Sequence, residues 1–202
     1  MKRVICLSIL MLTGILAYSQ DQFWGVTYLG GQYGKGVIFK TDANGGSLAV
    51  VHSFNDAANG PHYPAGALVK ALNGKLYGIT VFGGANDKGT IIEFDPATPT
   101  LVKKKDLSSI GVTGVYGTLC QASNGKLYGV AEGEPFGSSQ MGSLFEYDLA
   151  SNTLTKIYDF TSETTGNKPE ATLIEGAAGK LYGTTLFGGT AGSGTLFQKA
   201  LP

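Results

Sequence analysis

The chain is 202 residues long and carries 31 glycines, about twice the usual share. Its 15 Lys+Arg balance 15 Asp+Glu, and Arg3 is the single arginine. A neutral chain so poor in arginine lacks the basic face that nucleic acid or an anionic membrane surface requires, while 43% hydrophobic residues suffice for a packed core and exclude wholesale disorder.

Met1–Ser19 has the three parts of a secretory leader. Lys2 and Arg3 precede the apolar run Val4 to Leu16, and Ala17-Tyr18-Ser19 supplies small residues flanking a larger one, as a signal peptidase requires. The run is about 13 residues, short of the ~20 that span a bilayer. The expected outcome is export, cleavage after Ser19 or Gln20, and a single mature domain of residues 20–202 that is secreted or held at the cell surface. Cys6 lies far upstream of the cleavage point, so the mature chain keeps Cys120 alone and cannot form an intramolecular disulfide. No later segment is apolar enough to span a membrane.

The remainder is a tandem array. GKLYG occurs at Gly74–Gly78, Gly125–Gly129 and Gly179–Gly183, with Phe23-Trp24-Gly25 as a weaker copy. The aromatic-Gly pairs at Trp24, Tyr77, Tyr128 and Tyr182 are spaced by 53, 51 and 54 residues. The flanks recur in the same order: AGALVKALNG, YGTLCQASNG and EATLIEGAAG upstream, then GVIFK, GTIIEF, GSLFEY and GTLFQK, then LAVVHSF, LVKKKDL and LTKIYDF. Repeats of approximately 23–63, 64–116, 117–168 and 169–202 follow.

Each repeat reads as four short strands rich in Val, Ile, Phe, Tyr and Thr. Asn73-Gly74 and Asn124-Gly125 predict tight I′ hairpins between the first two strands. Asp42, Asp95 and Asp148 open the turns before the fourth strand, where a carboxylate bonds the following amides. Repeats of about 50 residues with four antiparallel strands predict an all-β, β-propeller-like array rather than a sandwich, which has no need of such a period. The first repeat lacks its first strand and the last lacks its fourth, so both end repeats are incomplete. Three readings follow: an incomplete gene product, an imperfectly closed four-blade disc, or self-association through the unfinished edges, which are templates for pairing.

HSFNDAANGPHYPAGALVKALNGKLYGITVFGGANDKGTIIEF and GNKPEATLIEGAAGKLYGTTLFGGTAGSGTLFQ resemble the repeat of the choice-of-anchor tandem repeat GloVer-containing proteins, the Gloeo/Verruco repeat. The resemblance covers residues 23–199. It implies an exported, propeller-like repeat protein, often tethered by a variable C-terminal anchor, and it implies no activity, since the family offers no settled catalytic residues to carry over. The anchor is not apparent before Pro202.

Candidate sites each have a plainer reading beside them. Trp24, Tyr77, Tyr128 and Tyr182 form either a ring of aromatics that stacks on sugars or an inter-blade packing element. The third repeat departs from the consensus at Val130–Gly137, so Glu132, Glu134 and Phe136 are ligand-contact candidates, against the alternative of a solvated loop. Convergence of Glu132, Glu134 and Asp87 in one cleft would favour an enzyme. The Gly-Gly loops precede no helix and so make no phosphate cradle. Asn86–Gly89 is too poor in carboxylates for calcium, and His52 and His62 lack the partners of a metal site. No catalytic triad, cofactor or metal is assigned. The leading reading is a non-catalytic binding or structural module for a polysaccharide or surface protein. The alternatives are a carbohydrate-active hydrolase or lyase whose site is gathered from several blades, and a truncated family member with no independent function.

Overall fold

The structure, a computed structural model, describes residues 22–133, 141–161, 164–177 and 179–201. The predicted leader lies outside these residues. Four antiparallel sheets follow one another along the chain. The first contains β1 (Phe23–Thr27), β2 (Val37–Thr41) and β3 (Ala49–Ser53). The second contains β4 (His62–Lys70), β5 (Leu76–Phe82), β6 (Thr90–Asp95) and β7 (Thr100–Asp106). The third contains β8 (Cys120–Gln121), β9 (Leu127–Ala131), β10 (Ser143–Asp148) and β11 (Thr153–Asp159). In the fourth, β12 (Asn167–Pro169) and β13 (Ile174–Gly176) share one edge of β14 (Lys180–Phe187), and β15 (Leu196–Ala200) pairs with the other. The innermost strand of this last blade is thus split in two, and among the described residues β15 is its outermost strand. The fold is β-propeller-like.

Residues alternate between a leading face, toward the preceding blade, and a trailing face, toward the next. Three apolar clusters fill the three blade-to-blade contacts. Ile38 and Phe54 of the first blade meet Leu76, Ile92 and Phe94 of the second. Tyr77, Ile79 and Ile91 of the second meet Leu127, Phe145 and Tyr147 of the third. Tyr128, Val130 and Leu144 of the third meet Leu173 and Leu181 of the fourth. Among the described residues no such cluster joins the fourth blade to the first, so the blades form an open arc.

The glycine of the Tyr-Gly pair has a steric cause. Gly25, Gly129 and Gly183 lie opposite Phe39, Phe145 and Phe197 on the neighbouring strand. A Cβ at Gly25 or Gly183 would sit 2.5 Å from the phenyl carbon Cζ. The ring therefore lies flat across the bare backbone. The hairpins differ from the prediction: Gly74 and Gly125 have φ +80° and +82°, whereas neither Asn73 nor Asn124 has positive φ. Gly74 N bonds Ala71 O and Ala71 N bonds Lys75 O, a type I turn closed by a glycine bulge rather than the I′ turn. The asparagine carboxamide oxygen instead accepts from the Lys75 amide at 3.1 Å. The Asp-opened turns form as expected, with Asp42, Asp95 and Asp148 accepting amide bonds at 2.8–3.0 Å.

Candidate functional site at one rim of the arc

The Tyr-Gly aromatics belong to a repeated polar ladder. Tyr77 and Tyr128 are 1% and 0% exposed, so neither offers a ring face to a ligand. Tyr77 donates to Glu93 Oε2 at 2.5 Å and Tyr128 to Glu146 Oε2 at 3.0 Å. Asn73 and Asn124 donate to these hydroxyls, and Lys75 and Lys126 reach the second carboxylate oxygens at 2.7 Å. Trp24 and Tyr182 are half-buried at the corresponding positions. There the ladder is reduced to Lys40 over the indole at 5.7 Å and to Lys180 donating to Gln198 at 3.5 Å. Burial drives the Tyr77 phenol pKa up, and so does its bond to Glu93.

A second set of groups gathers where β1, β5 and β9 end and β4 begins. Tyr28 follows β1 and stacks on Tyr63 of β4, with ring centroids 5.0 Å apart and an interplanar angle of 27°. Tyr63 also meets Phe82, the last residue of β5, edge-on at 5.7 Å. His62 stacks on Phe82 at 5.9 Å. Tyr116, ahead of β8, is close enough to Tyr28 and Glu132 for both, after burial, to raise its phenol pKa. Tyr28, Phe82 and Tyr116 are 43%, 36% and 49% exposed. Three blades therefore contribute accessible aromatic surface to one rim of the arc.

Charges are interleaved with the rings. Lys35 lies 4.9 Å above the centroid of Tyr63 and bridges to Asp56 at 2.9 Å. The ammonium pKa is raised, first by Asp56 and then by Tyr63. His62 Nδ1 donates to Gly60 O at 2.9 Å, while its Nε2 faces Asp87 Oδ1 at 3.6 Å. Asp87 Oδ1 is held by the Gly83 amide at 2.7 Å.

Two cavities share this rim. One of about 430 Å³ is lined by Lys35, Asp56, His62, Tyr63, Phe82 and Asp87. The other, about 270 Å³, is lined by Phe82, Asp87, Tyr116, Glu132 and Lys168 among others. Phe82 and Asp87 form the wall common to both.

Of the candidates in the third repeat, Glu132 lines the smaller cavity together with Asp87, whereas Glu134 and Phe136 lie outside the described residues. Burial raises the Glu132 carboxyl above its ordinary value and Glu170 adds to the effect. Lys168, 3.9 Å away, pulls it back. The two lateral residues Tyr63 and Lys168 hold φ of +54° and +51° at equivalent places in blades two and four, where the third blade has Gly114 at +67°. A bulky side chain in this region costs of order 1–3 kcal/mol and is concentrated at functional surfaces. Each is anchored to the preceding blade, Tyr63 N to Lys35 O at 2.9 Å and Lys168 N to Met141 O at 2.7 Å.

Sequence reasoning missed Tyr28, Tyr63, Phe82, Tyr116, Lys35 and Lys168. A signal was present: aligning His62-Tyr63-Pro64 and Asn167-Lys168-Pro169 with Thr113-Gly114-Val115 places large residues where a repeat accepts glycine. Elsewhere, Cys120 is half-buried and burial raises its thiol pKa, so the thiolate is disfavoured. Among the described residues no group of three or more His, Cys, Asp or Glu is placed to hold a metal ion. No helix among them is long and apolar enough to cross a membrane.

Known proteins place the fold. The structure is similar to TolB from Acinetobacter baumannii, with a TM-score of 0.52 and 13% identity over 90% of this chain and 41% of that one. It is similarly close to a protein described as a TolB of Agrobacterium tumefaciens, with a TM-score of 0.50 and 12% identity over 90% of this chain and 71% of that one. The chain thus spans well under half the length of the first of these relatives, and at such identities the likeness concerns the fold. No curated protein sequence matches the chain. The family model of the Gloeobacter/Verrucomicrobia repeat matches residues 11–197, and the chain belongs to that repeat family.

Proposed function

We propose that this is an exported β-propeller repeat protein, acting outside the cell or at its surface, whose aromatic rim binds a polysaccharide. The observation that carries the reading is the convergence of Tyr28, Tyr63, Phe82 and Tyr116 from three blades around two adjoining cavities. Exposed ring faces cover the apolar faces of pyranose rings, and the interleaved Lys35, Asp56, Asp87 and Lys168 supply hydrogen-bonding partners for hydroxyls. The leader Met1–Ser19 supports export. A surface protein is the other ligand class for the same rim.

The test incubates the purified chain with soluble and insoluble polysaccharides and measures protein depletion together with new reducing or unsaturated ends. Depletion without products is the expected result, lost in Phe82→Ala and Tyr116→Ala while thermal stability holds. Depletion that survives both substitutions would place the binding surface elsewhere.

One observation favours a second reading, a carbohydrate-active hydrolase or lyase. Glu132, whose carboxyl burial raises above its ordinary value, and Asp87, held by an amide, line one cleft, and a pair of carboxyls is what acid–base chemistry on a glycosidic bond uses. Release of new ends that disappears in Glu132→Gln would establish it.

A further inference from the structure

The two ends of the arc carry the same apolar positions that the internal blade contacts bury. On trailing faces, Ile38, Ile91 and Leu144 are 0%, 0% and 1% exposed, and each lies opposite the residue after the repeated glycine. The fourth blade has Leu196 at that place, 74% exposed. On leading faces, Leu76, Leu127 and Leu181 are 4%, 0% and 0% exposed, whereas their first-blade counterpart Phe23 is 60% exposed. Leu101 and Leu154, which pack against the preceding blade, correspond to Leu48, 66% exposed. Ile174 on the trailing end is 64% exposed, and its counterparts Val69 and Cys120 pack into cores.

We propose that the trailing face of the fourth blade packs on the leading face of the first blade of a second copy of this chain. The argument is one of fit. In each internal contact the leucine-type residue opposite the glycine strand and the leading-face leucine share one cluster: Ile38 with Leu76, Ile91 with Leu127, Leu144 with Leu181. The surface shaped to cover Leu196 and Ile174 is therefore a leading face. Among the described residues the leading face left uncovered is that of the first blade, with Phe23 and Leu48. The two do not bury each other within one chain, since both remain exposed.

Such a contact is head-to-tail, and it ends without an open filament only when rotation closes it. Two copies each using both ends give a two-fold ring of eight sheets, at the upper end of the usual four to eight blades. This deepens the reading of self-association through the terminal blades and does not depend on what the aromatic rim binds.

The experiment is sedimentation equilibrium of the full chain beside Leu196→Asp and Phe23→Asp. Both side chains are exposed in one copy, so each variant keeps the parent circular dichroism. The expected mass is twice that of the chain, with dimer dissociation constants raised at least about tenfold in either variant, as for loss of an apolar anchor. Orientation is read by oxidising mixtures of Phe23→Cys and Leu196→Cys in a Cys6→Ala, Cys120→Val background. Cross-links between the two variant chains support head-to-tail packing. A monomer at every concentration, or cross-linking of Leu196→Cys with itself alone, overturns the proposal. Polysaccharide depletion is read separately, so the loss of either conclusion leaves the other visible.

Discussion

Replacing Tyr77 by Phe removes one hydroxyl from a buried position and leaves the ring in place between the second and third blades. The hydroxyl donates to Glu93 Oε2 and accepts from Asn73 Nδ2 at 3.0 Å. After the substitution Glu93 retains Lys75 at 2.7 Å and Lys104 at 3.4 Å, but one oxygen loses its short neutral donor and the Asn73 amide loses its acceptor. Hydrogen bonds to charged groups contribute about 1.5–3 kcal/mol, so a loss of about 2 kcal/mol is expected. For a chain of this size that lowers Tm by about 4–8 °C. Tyr77→Ala, which also empties the ring's volume, costs about 3–5 kcal/mol. The pH dependence tests the assignment further. Burial raises the Glu93 pKa, but bonds from Lys75 and Tyr77 outweigh it and the net shift is downward from 4.5. A depressed carboxylate contributes stability above its unfolded pKa and loses it as pH falls through the folded value. The gap between parent and Tyr77→Phe is therefore full at neutral pH and narrows below about pH 4.5. Thermal unfolding of both proteins across that range is the assay. A fall of under about 1 °C at pH 7, or a gap independent of pH, would refute the ladder as a source of stability.

Further outcomes follow from the same geometry. Gly129→Ala drives a methyl into the Phe145 ring and destabilises by about 1–3 kcal/mol in urea unfolding, with partial recovery in the double variant carrying Phe145→Leu. Lys168→Met removes the cation 3.9 Å from Glu132, so the Glu132 carboxyl, already raised by burial, titrates higher still in a carboxyl NMR titration. Because a raised carboxyl pKa means that the folded state holds its proton longer, this variant loses stability more steeply than the parent as pH rises from the unfolded Glu pKa through the folded one. Tyr63→Gly is more stable than Tyr63→Ala by about 1 kcal/mol, since glycine adopts φ +54° without steric cost. Equal unfolding midpoints for those two variants would remove strain from the account of this rim of the arc.

Much of the architecture was legible before any coordinates. The four-fold recurrence of an aromatic-Gly pair, the alternation of strands such as Thr153–Asp159 and the Asp-opened turns are properties of neighbouring residues, governed by the pleat and by side-chain bonds to nearby amides. The hairpin was misread because Asn-Gly suits two turns, and a bulge that lets Asn73 bond Lys75 won over two positive φ angles.

The aromatic rim was not legible as a site. Tyr28, Phe82 and Tyr116 stand at three different places in the repeat pattern, Phe82 at a position shared with Phe187 and the two tyrosines where no other repeat has an aromatic residue, and no local rule groups them. They become one surface because consecutive blades bring strand ends distant in sequence around a common axis. The repeated aromatics went the other way: recurrence marked Tyr77 and Tyr128, and packing buried them against glutamates of their own blades. The recurrent tyrosines of the second and third blades thus serve packing between blades, a role that the sequence offered beside sugar stacking and burial decided. Which apolar positions stay exposed, at Phe23 and Leu196, and which polar groups share a cavity, at Asp87 and Glu132, depends on how many blades stack and where the arc stops. Those are distances between elements far apart along the chain, and only the tertiary structure decided them.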